Sequence, residues 1–263
     1  PGFLDSQPWL TFGRLRPVHV NGVIFGAFSV PFFGLLYYMV PRLCGRTMYK
    51  EHWGWYALYL WNFFLIVGVA SLEMGYNLGF EADEFEWFVD IFRFSALAIV
   101  AWQTVVTVYH RVEPKVYVSL WYLTAAVVWT LMNLILGNIV LPYTGIFGVD
   151  SAAMHGLYLH FVVGLWLTPA GLAVIYYFLP LSTKNPLYSH KISIVGFWSL
   201  AFFYPFVGTH HYLLSPIPYW TQTIAIVMSM LLIIPVWSTI VNFFGTSLGR
   251  WGYIAGGSDG ASY

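Results

Sequence analysis

The sequence predicts an all-α, polytopic transmembrane helix bundle of about seven helices, and three observations carry that expectation. Of the 263 residues, 59% are hydrophobic and only 8% are charged, against about 25% charged in ordinary soluble domains. Aromatic residues supply 21% of the chain, and Trp and Tyr crowd the ends of its apolar runs as interfacial belts do. Seven of those runs reach the ~20 residues that cross a bilayer's hydrocarbon core.

Each run is bounded by a change of composition. Residues 1–17 read as an outer loop, and the first helix is expected over 18–40, closed by the basic loop of Arg42, Arg46 and Lys50. The second, 54–75, runs into an acidic loop with Glu81, Asp83, Glu84 and Glu86. The third, 87–109, ends before Arg111 and Lys115; the fourth, 117–137, precedes a loop whose charge is Asp150. The fifth, 152–180, gives way to Lys184 and Lys191, and the sixth, 191–214, to Pro216. The seventh, 220–244, leads into a tail, 245–263, that carries Arg250 and a Gly/Ser-rich end. No soluble domain, low-complexity block or internal repeat interrupts the series, so one transmembrane domain over 1–263 accounts for it. No charged n-region precedes a short apolar core, so no signal peptide is expected, and both ends read as cuts.

Loop charge sets the orientation. The basic loops alternate with the acidic or uncharged ones, and the positive-inside rule puts the basic set and the tail in the cytoplasm. The N-terminal stretch then lies outside, with Arg14 and Arg16 as its exceptions. That orientation, taken from loop charges alone, gathers four histidines. His19 falls at the outer end of the first helix, His160 a little inside the outer end of the fifth, and His210 and His211 at the outer end of the sixth.

Ionisable side chains at such depth are costly and mark functional sites. Three imidazoles and the phenol of Tyr204 converging in hydrocarbon point to a metal site built for redox chemistry. Imidazole suits copper, iron or zinc, and the lack of nearby thiolates or carboxylates argues against calcium, magnesium and iron–sulfur centres. Adjacent residues diverge by roughly 100° on an α-helix, so His210 and His211 share one metal only where the helix loosens. Pro205, Gly208 and Pro216 supply the means. Lower on the same helix, Ser193, Phe197, Leu200, Tyr204 and His211 fall on one stripe. At a rise of ~1.5 Å per residue, Ser193 stands roughly 16 Å from Tyr204 on that face. The single cysteine, Cys44, excludes a disulfide framework or thiolate cluster and reads as a small apolar residue.

Three stretches then resemble one family. The first is Gln7-Pro8-Trp9-Leu10-Thr11-Phe12-Gly13-Arg14-Leu15-Arg16-Pro17-Val18-His19. The second is Tyr158-Leu159-His160 with Gly164 and the run Ile175-Tyr176-Tyr177-Phe178-Leu179-Pro180. The third is Ser193-Ile194-Val195, Phe197-Trp198, Tyr204 and Gly208-Thr209-His210-His211. In order and spacing they look like catalytic subunit I of the cbb-type cytochrome c oxidases, the C-family of haem–copper oxidases, whose fold has twelve helices.

The resemblance implies roles residue by residue. His160, His210 and His211 would be the ligands of the active-site copper, CuB, and Tyr204 the tyrosine joined covalently to His160. His19 would be one axial ligand of the low-spin haem b. Tyr176 and Ser193 would belong to the single proton channel entered from the cytoplasm. A high-spin haem b would face the copper, with its axial ligand on a later helix absent from this chain. The implied reaction reduces dioxygen to water with four electrons and four protons, the phenol supplying one electron and one proton, coupled to proton translocation. Electrons would come from cytochrome c and membrane-anchored c-type cytochrome subunits, and the complex would lie in the bacterial inner membrane with its cofactors toward the periplasm. Two positions depart from the family pattern: Thr209 where proline is expected, and Pro205 directly after Tyr204.

Other readings stand beside this one. A nitric oxide reductase uses the same scaffold with iron and an added glutamate four residues after the first histidine, where this chain has Gly164. A transporter or quinone-binding subunit with structural histidines would bind no copper. Arg14 and Arg16 suit haem propionates or lipid headgroups. The acidic loop suits a basic cytochrome, a cation such as calcium, or plain solvation. Glu73 could guide protons outward or pair with a neighbour. His52, His110, His155 and His190 read as interfacial, and nothing suggests nucleic-acid binding.

Overall fold

The computed structural model describes residues 6–256, all-helical and without a strand among those residues. Among the described residues seven helices are long and apolar enough to cross a membrane: α1 (Phe12–Cys44), α2 (Trp53–Met74), α3 (Trp87–Tyr109), α4 (Val118–Tyr143), α5 (Gly148–Thr183), α6 (His190–Tyr212) and α7 (Tyr219–Ser247). Large apolar side chains such as Trp55, Ile66, Trp198, Phe202 and Trp237 lie exposed on them, as lipid-facing surfaces require. The protein is a multi-pass membrane protein.

α1 begins at Phe12, ahead of the expected start. Thr11 is extended at the N-cap position, with its hydroxyl turned back to the Pro8 carbonyl, and Pro17 is accommodated inside the helix, so Arg14, Arg16 and His19 project from α1 itself. α4 likewise continues past residue 137 to Tyr143. Three spans contain π-helical turns: Gly22–Phe28 in α1, Leu136–Val140 in α4 and Val162–Leu167 in α5. Such turns often mark functional positions because they leave carbonyls without their helical partners. In the first, the Phe25 carbonyl accepts from Trp61 Nε1 at 2.8 Å and the Ile24 carbonyl from Ser29 Oγ at 2.7 Å.

α6 narrows as the opposite case. Its α-helical part, His190–Phe203, passes into 3-10 turns at Tyr204–Phe206 and Gly208–Tyr212. Pro205 has no N–H to continue the α-helical ladder, so the backbone tightens there and re-aims the side chains beyond it. α7 is interrupted at Leu232, three residues before Pro235, for the same reason.

The helices form two compact units, residues 6–113 with 130–151, and residues 114–129 with 152–256. The core of the first is an edge-to-face cluster of Phe25, Trp61, Phe64 and Phe85. The fully buried Arg93 lies over three of these rings. Its Nη2 donates to Asp90 at 2.6 Å and to Asp83 at 3.2 Å. Asn138, carried inward by the α4 π-turn, donates to the same two carboxylates. In the second unit, Phe197 packs against Trp121, Tyr122 and Trp129, and Tyr122 stacks on Tyr176.

The acidic loop is not the solvated loop that its composition suggests. Asp83 and Glu84 are buried, because Arg93 and Asn138 draw the first inward and Asn21 Nδ2 donates to Glu84 at 2.6 Å. Burial pushes the Glu84 carboxyl above its ordinary range, and the Asn21 hydrogen bond opposes that shift without reversing it. Glu81 pairs at the surface with Arg16 at 2.6 Å.

Candidate metal centre

The site lies within the second unit, where α5 meets the tightened end of α6. The approach is close because two glycines face each other. A Cβ on Gly208 would stand 2.6 Å from Leu157 Cα, and one on Gly156 would stand 2.6 Å from the Tyr212 ring and 2.9 Å from the Gly208 carbonyl oxygen. α7 holds the α6 end from the other side. Thr209 Oγ1 donates to the Thr221 carbonyl at 3.0 Å, and Gln222 accepts from Leu214 N at 2.9 Å while donating to the carbonyls of Ser215 and Ile217.

Within that frame the 3-10 turn brings His210 and His211 onto His160. Ligand nitrogens of the three rings all lie within 4.8 Å of one another, and their centroids are 4.5–4.8 Å apart. His160 Nε2 and His210 Nε2 face each other at 2.7 Å. Nitrogens bound at ~2.0 Å to one tetrahedral metal are about 3.3 Å apart, so the cluster accommodates an ion with small adjustments. His160 Nδ1 is buried without a hydrogen-bond partner. Among the described residues this is the one group of three or more His, Cys or carboxylate ligands close enough to share an ion. An all-imidazole set suits copper, zinc or iron and not calcium.

Tyr204 stands beside the cluster, its ring centroid 5.1 Å from that of His160. The ring fills the space above Gly164 so completely that any Cβ at that position would run into it. Gly164 itself lies in the π-turn that follows His160. The wide turn on one helix and the tight turn on the other thus juxtapose imidazole and phenol.

A family model, Cytochrome C and Quinol oxidase polypeptide I, matches residues 1–255. The chain belongs to the haem–copper oxidase subunit I family. It is 34% identical over 265 residues to the cytochrome c oxidase subunit 1 homolog of Azorhizobium caulinodans, covering 95% of this chain and 47% of that protein. It is 31% identical over 255 residues to the cbb3-type cytochrome c oxidase subunit CcoN1 of Stutzerimonas stutzeri, covering 93% and 53%. To the cytochrome c oxidase subunit 1 homolog of Agrobacterium tumefaciens it is 31% identical over 256 residues, covering 94% and 48%. The chain spans about half the length of the curated relatives it matches.

The remaining expected residues of this oxidase-family chain are placed as follows. His19 is exposed on α1, in the first unit. Arg14 Nη1 donates to the Glu73 carbonyl at 2.6 Å and Arg16 pairs with Glu81, so both arginines have protein partners. Tyr176 and Ser193 are both buried. Asn242 donates weakly to Tyr176 Oη at 3.4 Å and accepts from Ser189 N, four residues before Ser193, at 2.9 Å, while Ser193 Oγ donates to the His190 carbonyl at 2.7 Å. His52, His110 and His190 are exposed, and His155 stacks on Tyr158; none joins the cluster.

Sequence reasoning missed four polar positions: Ser229, Tyr122, Arg93 and Asp90. Ser229, on α7, reaches His210 Nδ1 at 2.8 Å; its nineteen-residue separation from His210 leaves no local signal. Tyr122 Oη is buried without a partner beside Tyr176. The Arg93–Asp90 pair did leave a trace, an i, i+3 charge pair in a membrane segment.

Proposed function

We propose that the chain is part of the catalytic subunit I of a cbb-type terminal oxidase, carrying the copper-binding side of a site that reduces dioxygen to water with electrons from cytochrome c. The observation that carries this reading is the Tyr204 ring in the space beside Gly164. An oxidase needs a phenol next to a metal ligand; a nitric oxide reductase needs a carboxylate side chain where Gly164 stands. A glutamate there would have to displace Tyr204, so the two arrangements exclude each other at this position.

His160, His210 and His211 would hold copper, and His19 would be an axial ligand of the low-spin haem b. Arg14 and Arg16 would lie near its propionates. Bound copper and haem would supply the one-electron chemistry at dioxygen. The chain's own residues do the rest. The tight Gly156–Gly208 approach fixes the spacing of the imidazoles, and Gly164 admits the phenol to within ring contact of His160. The Tyr204 hydroxyl holds a proton and an electron in reserve beside the ligand. Tyr176 and Ser193 mark a polar route from the cytoplasmic side, with Asn242 between their helices and the unpartnered Tyr122 hydroxyl further along the same packed face.

The chain would sit in the bacterial inner membrane with basic loops and residues 245–263 inside, residues 1–17 outside, and membrane-anchored c-type cytochromes as partners. Proton translocation would accompany turnover. Metal and haem analysis of the purified complex containing this chain, beside a His210→Ala variant, tests the reading. Copper near one per complex, lost in the variant, with cyanide-sensitive oxygen uptake is the expected result. Iron without copper, and nitric oxide consumed instead of oxygen, would move the chain to the reductase side.

A further inference from the structure

His210 presents two ring nitrogens to different neighbours, and the neighbours fix which one carries the proton. Nε2 faces His160 Nε2 at 2.7 Å. Nδ1 faces Ser229 Oγ at 2.8 Å. A serine hydroxyl has one hydrogen and two acceptor lone pairs. Ser229 has already committed its hydrogen, donating to the Ala225 carbonyl one turn back along α7 at 2.6 Å. Toward His210 it can only accept, so Nδ1 must be the protonated nitrogen and Nε2 the one with a lone pair directed into the cluster.

We infer that Ser229 is a positioning residue that locks His210 in its Nδ1–H tautomer and aims Nε2 at the metal; this rests on the copper-site reading above. Metal-bound imidazoles are generally oriented in this way by an acceptor on the far nitrogen, and loss of that acceptor costs ~10–100-fold in metal affinity or activity. The placement is selective. Ser229 lies on α7, the helix that grips the segment around His210 through Thr221 and Gln222, so ring orientation and backbone position are set by one element. The back-bond to Ala225 also costs α7 nothing in unsatisfied groups, because the hydroxyl is supplied with both a donor and an acceptor role.

The test uses the intact membrane complex, with Ser229→Ala and Ser229→Thr compared to the parent. Threonine keeps a hydroxyl that can make the same back-bond; alanine does not. Nitrogen-15 shifts of labelled histidine in the copper-depleted complex report the tautomer without any metal. The expected result is one Nδ1–H population for His210 in the parent and the threonine variant, and a mixture in the alanine variant. The copper-loaded complex should then show apparent copper affinity ~10–100-fold weaker in Ser229→Ala, with the infrared band of carbon monoxide on cuprous copper shifted or split, and both restored by Ser229→Thr. An alanine variant with an unchanged tautomer and an unchanged carbon monoxide band would overturn the role of Ser229. A parent that shows the single tautomer but binds no His210-dependent copper would overturn the copper reading and leave the hydrogen-bond assignment standing.

Discussion

Arg93 sits outside the histidine cluster, over the rings of Phe25, Phe64 and Phe85. It is fully buried, and its guanidinium is shared by Asp83 and Asp90. Buried ion pairs contribute little relative to apolar replacements, but removing one partner leaves uncompensated charge and costs about 3–5 kcal/mol. Arg93→Leu is therefore expected to lower the apparent Tm of the detergent-solubilised protein sharply, and Arg93→Leu with both Asp83→Asn and Asp90→Asn to recover much of that loss. A single variant as stable as the parent would mean that the network is not charged as drawn. Glu84 makes the matching case for pH. Its carboxyl titrates above the ordinary range because it is buried, so the folded state binds a proton more tightly than the unfolded state does. Its contribution to stability is then greatest below the ordinary carboxylate pKa and declines as pH rises through the raised one. Replacing Glu84 with Gln should flatten that acid-side gain; an unaltered slope of Tm against pH between neutral and mildly acidic conditions would contradict it.

At the scale of elements, the site is made by departures from the regular α-helix. The π-turn Val162–Leu167 follows His160 and the 3-10 turn Gly208–Tyr212 contains His210 and His211. Their two helices meet one to two turns before the π-turn, where Gly208 approaches the backbone of residues 156–157. Gly208→Ala cannot be absorbed by a side-chain movement, since the added Cβ would press on backbone atoms. It should push the α6 end away from α5, with bound copper falling several-fold or more while helical content by circular dichroism stays near that of the parent. Copper retained at parent level would show that the crossing tolerates separation. That α6 leaves the α-helix near its outer end was legible in Pro205 and Gly208, but the direction was not: the expected loosening is a tightening into 3-10 turns. The common depth of His160, His210 and His211 was legible in loop charge alternating with helices of spanning length. The π-turns were not, because no residue type codes for them and they arise from packing between spans. The same is true of Ser229, whose role depends on α7 folding back against α6. The buried acidic loop was misread because its partners, Arg93, Asn21 and Asn138, are supplied by α3, α1 and α4, and composition alone does not reveal which carboxylates will be drawn inside.

At the scale of the whole molecule, every role proposed for the histidines depends on which side of the membrane the ends of the helices face. Loop charge gives one answer: the turns near Lys50, Lys115 and Lys184 inside, those near Asp150 and Tyr219 outside. The single native cysteine, Cys44, is buried, so a thiol introduced in a loop will report its own side without strong background. In sealed, right-side-out cells or vesicles, Asp150→Cys and Tyr219→Cys, both at exposed positions, should react with a membrane-impermeant maleimide at once. Lys115→Cys and Lys184→Cys, also exposed, should react only after permeabilisation. The opposite pattern would place His160, His210 and His211 near the cytoplasmic face, and the polar groups of Tyr176, Ser193 and Asn242 would then open outward. Under the proposed function, protons for oxygen reduction would then have to enter from the side opposite to the one proposed. The labelling result therefore tests the proposed direction of proton entry together with the topology, because the same helices carry the imidazoles toward one end and the buried hydroxyls toward the other.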